Sequence, residues 1–177
     1  MADEKPKWMD YLAISTVLIA VCATLSTFKG GGYSTKSLLN QAKASDQWAY
    51  YQSKSIKGYI YDMQKENLEL QLDAGVSKNN KQLDSIYKAK VESYGKKVEK
   101  YNTEKEQIKK EAEQFEATGD DTRLHGERFG LAVIFLQVSI LLSSISALAK
   151  KKYIWLLSMA IGAIGIAYFI NGFFVIW

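Results

Sequence analysis

Residues 8–28 read WMDYLAISTVLIAVCATLSTF, and the reading of this stretch decides the fold. Its only charge is Asp10, close to its start, and its length of about 20 residues lets an α-helix cross the ~30 Å hydrocarbon layer of a bilayer. Two further runs have the same character: FGLAVIFLQVSILLSSISALA, Phe129–Ala149, and YIWLLSMAIGAIGIAYFINGFFVIW, Tyr153–Trp177. Trp8, Tyr11, Tyr153, Trp155 and Trp177 stand near the ends of these runs, where amphipathic rings favour the headgroup layer. The sequence therefore predicts three transmembrane helices. A cleaved secretory signal is the competing reading of the first run, given Lys5, Lys7 and a LIAVC segment close to a lipoprotein cleavage box. Val21, however, precedes Cys22 where a small residue belongs, so an uncleaved span is expected with Cys22 as a small apolar filler. A lone cysteine makes no internal disulfide.

The mean hydropathy of −0.16 hides this partition. Charge is concentrated between residues 29 and 128, with 18 basic and 16 acidic side chains in near balance. The net charge of +4 thus supplies no concentrated basic face, and a nucleic-acid partner is not expected.

The polar middle contains no proline, the single Pro6 lying before the first span, and is rich in Lys, Glu, Gln, Ala and Leu. Such composition favours long helices. The one clear break is LDAGVSKNN, Leu72–Asn80, where Gly75 and the Asn pair supply turn chemistry. Dividing there gives an antiparallel helical hairpin over 34–118, turning near 73–80, with arms of nearly equal length. Along the outgoing arm, steps of four and three select Leu38, Ala42, Ser45, Ala49, Gln52, Ile56, Tyr59, Met63 and, after Glu66, Leu70. Along the returning arm they select Tyr87, Val91, Tyr94, Val98, Tyr101, Lys105, Ile108, Ala112 and Phe115. Spacing that averages 3.5 is the seam of a coiled coil. The outgoing seam is small at Ala42, Ser45 and Ala49 and larger toward the turn.

Several stretches invite a chemical reading. From Gly30, GGGYSTKS misses the phosphate-loop pattern G-x-x-x-x-G-K-[ST] by one letter, Thr35 standing where glycine belongs. A working loop of that kind joins a strand to a helix, and no βαβ unit is present, so no nucleotide is expected. Gly30, Gly31 and Gly32 are instead predicted to form a hinge (29–33) between the first span and the arm, with Ser34 or Thr35 as the cap. In TGDDTRLHGERFG, Thr118–Gly130, Asp121 and His125 are four apart and could share a metal ion. The preferred reading is a juncture over 119–128, with Gly119 ending the arm and Asp120 or Asp121 capping the next helix. No nucleophile–base pair and no carboxylate dyad in an apolar setting is present, so neither catalysis nor a cofactor is expected.

Within the membrane, Gln137 and the small residues Ala13, Thr16, Ala20, Ala23, Ser158, Gly162 and Gly165 are predicted to pack helices together. A narrow pore lined by the first span is the alternative use of such faces. Lys29, Lys36, Arg123, Arg128 and the loop Lys150, Lys151, Lys152 (150–152) are expected at lipid headgroups, anionic ones included. A cytoplasmic Lys150–Lys152 puts the N-terminus inside and the hairpin outside. Lys29, Lys36, Lys43, Arg123 and Arg128 at the hairpin's roots pull the other way.

Two stretches carry a family resemblance. One runs from Leu18 through Gly32 to the segment Ala44–Lys57, with ASDQWAYYQ (44–52) its most specific part; the other is HGERFGLAVIFLQVSILLSSISAL, His125–Leu148. Together they resemble the bacterial membrane proteins of domain-of-unknown-function family 4337, over nearly the whole chain. The resemblance implies a bacterial inner-membrane protein of three spans and supplies no activity. The ring and amide groups of the 44–52 segment suit a subunit interface, or equally the packing of the two arms within one chain. The expected protein is all-α, with the N-terminus and first span at 1–28 and further spans at 129–149 and 153–177. It is expected to form a homo-oligomeric scaffold with outgoing arms packed centrally through Leu38, Ala42, Ser45, Trp48, Ala49, Tyr51, Gln52 and Ile56. A channel with the first span on the symmetry axis is the alternative.

Overall fold

The chain reverses where its turn chemistry lies. Helix α1, Trp8–Asp73, ends in a left-handed Gly75 with φ 77°. The Val76 N–H donates to the Gln71 carbonyl at 3.2 Å, and the Ala74 N–H to Leu70 at 2.9 Å. These bonds satisfy carbonyls that the helix end leaves open, and only glycine takes this φ without a steric cost. Helix α2, Lys81–Ala149, starts behind Asn80, whose Oδ1 accepts the N–H groups of Gln82 and Leu83 at 3.1 Å each. A second break separates α2 from α3, Lys152–Phe174. There Lys150 has φ 52°, and the Ser146 hydroxyl donates to the Lys151 carbonyl at 2.9 Å. This computed structural model describes residues 7–76 and 80–176, and among them all regular structure is helical. The expectations placed on Lys5, Asn79 and Trp177 fall outside the described residues.

Two predicted interruptions are absent. No hinge forms at Gly30, Gly31 and Gly32, through which α1 runs unbroken. Gly30 is buried, and a Cβ there would stand 3.0 Å from Cβ of Phe129. That glycine permits close helix approach rather than a change of direction. The hydroxyl of Thr35, expected to cap a new helix, donates instead to Gly31 O one turn back. Nor does α2 stop at Gly119 or restart at Asp120 or Asp121. Gly119 is buried, and its carbonyl accepts both Ser37 Oγ at 2.8 Å and Thr122 Oγ1 at 3.0 Å. A helix interior loses about 1 kcal/mol for each glycine relative to alanine. Close packing at Gly30 and the Ser37 hydrogen bond at Gly119 offset that loss.

The chain divides into two units, and α1 and α2 contribute to both: one comprises residues to Leu39 and from Thr118 onward, the other Asn40–Ala117. In the first, α1 and α2 supply the buried cluster Ile19, Ala23, Ala132 and Leu136, and Met159, Tyr168 and Phe169 of α3 pack against it. Helix α3 runs antiparallel to α2, Gly162, Gly165 and Gly172 facing Ser139, Leu136 and Phe129 in turn. A Cβ on any of the three would come within 2.9 Å of the facing residue. Phe129, fully buried, is ringed by Tyr33, Phe169 and Phe173 at centroid distances of 5.8, 6.0 and 5.0 Å. Each of the three helices contains a stretch long and apolar enough to cross a membrane.

In the second unit the two arms are antiparallel. Trp48 meets Glu116, Lys54 meets Glu104, and Tyr61 meets Tyr101 and Tyr94, so each step along α1 meets an earlier residue of α2. Its buried apolar core is thin, made of Ala44, Ile108 and Ala112. Around it stand half-buried and exposed tyrosines and lysines, with Lys54, Lys97 and Lys105 over tyrosine rings at 4.5–5.8 Å.

Candidate interaction surface

The arm of α1 within Asn40–Ala117 carries two registers with the same spacing. One comprises Asn40, Ala44, Gln47, Tyr51, Lys54, Gly58, Tyr61, Lys65 and Leu68, every member buried or half-buried. This register faces α2: a Cβ on Gly58 would touch Cβ of Tyr101 at 3.7 Å. The other comprises Ala42, Ser45, Ala49, Gln52, Ile56, Tyr59, Met63 and Leu70, every member exposed. Two residues of offset is about 200° around a helix, so the registers lie on opposite sides. The outgoing seam expected to close the hairpin is therefore turned largely away from α2, although the Tyr59 ring lies 5.8 Å from Nζ of Lys105. In the other unit, Leu38 is also exposed, at 68%.

The returning arm behaves as its pattern predicts. Tyr87 through Phe115 at the predicted spacing are all buried or half-buried. The opposite side of α2 is polar, with Ser93, Lys96, Lys100, Thr103, Gln107 and Lys110 exposed. One helix of the pair thus has a solvated back and the other an apolar one. Ile56, Tyr59, Met63 and Leu70 are 59%, 65%, 69% and 68% exposed.

Trp48 and Tyr51, predicted for a subunit interface, have partners within the hairpin. Trp48 Nε1 donates to Glu116 Oε1 at 2.8 Å, and the Tyr51 ring meets its edge at 5.6 Å. Composition did not reveal the Lys54–Glu104 ion pair, 2.6 Å between Nζ and Oε2. Its hydrogen bond to Lys54 holds the Glu104 carboxyl below the usual carboxylate range. Hydrogen bonds to Glu104 and then Tyr50 raise the Lys54 ammonium above its ordinary value.

Among the residues predicted to pack the spans, Ala23, Ser158, Gly162 and Gly165 are buried and Thr16 and Ala20 half-buried. Ala13 and Gln137 face outward instead. The sequence did not single out the serine cluster. Ser139 Oγ donates to the Ser158 carbonyl at 2.7 Å, and Ser143 Oγ lies 2.6 Å from Ser158 Oγ, all fully buried. Of the basic residues, Lys29, Lys36, Arg123, Lys150, Lys151 and Lys152 are exposed, and Arg128 is half-buried with its Nε unbonded. Lys29 and Lys36 border a shallow groove of about 600 Å³ opened by Gly31 and Gly32. The helix through Gly30–Lys36 has its backbone N–H groups engaged, which removes the phosphate cradle that the near-match suggested.

His125 lies 3.9 Å from Asp121, but its Nδ1 is 2.7 Å from the carbonyl of Gly172 in the last turn of α3. Its ring stacks on Tyr33 at 4.7 Å. That imidazole closes a helix end, and the described residues contain no group of three metal-ligating side chains.

The family model described as Domain of unknown function (DUF4337) matches residues 8–175. The chain belongs to the DUF4337 family. No curated protein and no solved structure matches it. Both the free register of α1 and the buried serine cluster lie inside the DUF4337 match.

Proposed function

We propose that this DUF4337 protein is a non-enzymatic, multi-pass membrane protein that assembles with copies of itself into a structural scaffold. One observation carries the reading: the more apolar register of α1, from Ala42 to Leu70, is left open while the opposite register serves α2. Extended apolar faces on otherwise polar helices mark interaction surfaces. The polar back of α2 suits the outside of such an assembly and the back of α1 its centre.

The three long apolar helices support insertion in a bacterial inner membrane. The N-terminus is placed inside and the hairpin on the extracytoplasmic side, with the exposed lysines at the span ends meeting anionic lipid. The channel reading has less support, because the large outward side chains of the first span include Ile14, Val17, Leu18, Val21 and Leu25. Those side chains suit lipid tails rather than a water-filled axis. Native mass spectrometry of the full chain released from detergent tests the proposal. Discrete multimers are expected, and a monomer at every protein concentration would refute it.

A further inference from the structure

The free face of α1 has features that restrict what can cover it. Its 4–3 spacing, sustained from Ala42 to Leu70, is half of a knobs-into-holes contact, which only another helix completes. Between Gln41 and Leu70 no lysine or arginine occupies the seam or the positions flanking it; Lys43, Lys54, Lys57 and Lys65 all lie elsewhere on the helix. One seam position breaks the pattern: Glu66, exposed, falls between Met63 and Leu70.

We infer that the occupant is α1 of a second copy, parallel and in register along 42–70, with Glu66 meeting its own equivalent. This rests on the homo-oligomeric membrane reading above, which fixes the direction. Chains inserted in the same sense and related by a closed rotation about the membrane normal present their α1 arms in parallel. In that register the flanking positions bring Gln41 opposite Asp46 of the second copy and Asp62 opposite Asn67. Each is an amide facing a carboxylate, and no two like charges flank the seam as partners. The small residues Ala42, Ser45 and Ala49 allow the closest approach of the backbones, and Tyr59 and Met63 hold the axes further apart.

The area sets how strong this contact is. The seam is roughly 43 Å long at ~1.5 Å per residue and roughly 10 Å wide, a footprint of about 430 Å². Stable interfaces need about 800 Å² per partner. The seam alone is therefore a weak contact that co-insertion in one bilayer makes effective, by raising the local concentration. Facing carboxylates at Glu66 weaken it further, and this gives the proposal its most distinctive consequence. Removing an acid from the seam strengthens assembly.

Full-length chains at graded protein-to-lipid ratios in liposomes, counted by single-molecule photobleaching, provide the test. Glu66→Leu is expected to tighten self-association by roughly tenfold or more, by removing facing charges and adding buried apolar area. Ile56→Asp, at an exposed position where folding does not depend on it, is expected to loosen association by a similar factor. Thr103→Asp, which adds the same charge to the solvated back of α2, is expected to leave it unchanged. Circular dichroism confirms that each variant keeps its helices. Multimers unmoved by all three variants would overturn the face assigned here and leave the homo-oligomeric reading standing. Looser assembly of Glu66→Leu would overturn the in-register pairing, since it would mean that the carboxylate meets a cation. Monomers of the parent chain at every ratio would overturn the homo-oligomeric reading itself.

Discussion

The glycine run Gly30–Gly32 offers a test in which adjacent, identical substitutions change stability in opposite directions. Alanine improves a helix interior by about 1 kcal/mol over glycine, wherever space allows. At Gly31 and Gly32 nothing lies within 4 Å of the added methyl, so the full gain applies. At Gly30 the methyl meets Cβ of Phe129 at 3.0 Å. Phe129 is fully buried, with Phe169, Phe173 and Gly172 around its ring, and has nowhere to retreat. Overpacking of this kind costs about 1–3 kcal/mol. The helix gain is common to both sites, so the difference between Gly31→Ala and Gly30→Ala is that packing cost. For a chain of this size, 1 kcal/mol moves the melting temperature by about 2–4 °C. Thermal unfolding in detergent, followed by circular dichroism, should place Gly31→Ala above the parent and Gly30→Ala about 2–12 °C below Gly31→Ala. A fall in stability at Gly31 would refute a continuous helix there and restore the hinge.

Three further outcomes follow from the same geometry. Ser158→Ala strips the partner from Ser143 Oγ, one of two from Ser139 Oγ and the donor to the Ser139 carbonyl, and is expected to lower stability by about 0.5–2 kcal/mol; an unchanged melting temperature would show that the serine cluster contributes nothing. The Lys54–Glu104 pair responds to pH at both extremes. The depressed carboxyl contributes stability that is present above its unfolded value and lost as pH falls through its lower folded one. The raised ammonium contributes stability that is present below its unfolded value and lost as pH rises through its higher folded one. Glu104→Gln should therefore be less stable than the parent at neutral pH and lose that deficit in acid; a deficit that persists below the carboxylate range would contradict the pairing. Finally, Lys81→Cys in a Cys22→Ala background places a single thiol beside the turn. An impermeant maleimide is expected to label it from the extracytoplasmic side, and labelling only from the cytoplasmic side would invert the topology.

The three long apolar helical stretches, the hairpin and its turn were legible because each rests on a local signal: apolar length for the helices, and glycine and asparagine chemistry for the reversal. The glycine hinge was misread because glycine has two opposite uses, freeing a backbone and letting two helices touch. Only the Gly30–Phe129 and Gly119–Ser37 contacts distinguish them, and those depend on residues far away in sequence. The face of α1 was misassigned for a related reason. Two registers share one spacing, and the more apolar of them, with Ile56, Met63 and Leu70, is not the one that packs on α2. The register that does includes Asn40, Gln47, Lys54 and Lys65, which bury their stems or engage in pairs and rings and so escape a search for apolar periodicity. The serine cluster was hidden because each serine looks ordinary until α3 folds back along α2.

Assembly through the free register of α1 is the central claim, and cysteine scanning addresses it most directly. Single cysteines at each position from Gln41 to Leu70, in a Cys22→Ala chain held in native membranes, would be oxidised and scored for disulfide-linked dimers. The account predicts maxima at Ala42, Ser45, Ala49, Gln52, Ile56, Tyr59 and Met63, with minima at Lys43, Lys57 and Gln64. A flat profile, or maxima on the side of α1 that packs against α2, would contradict it.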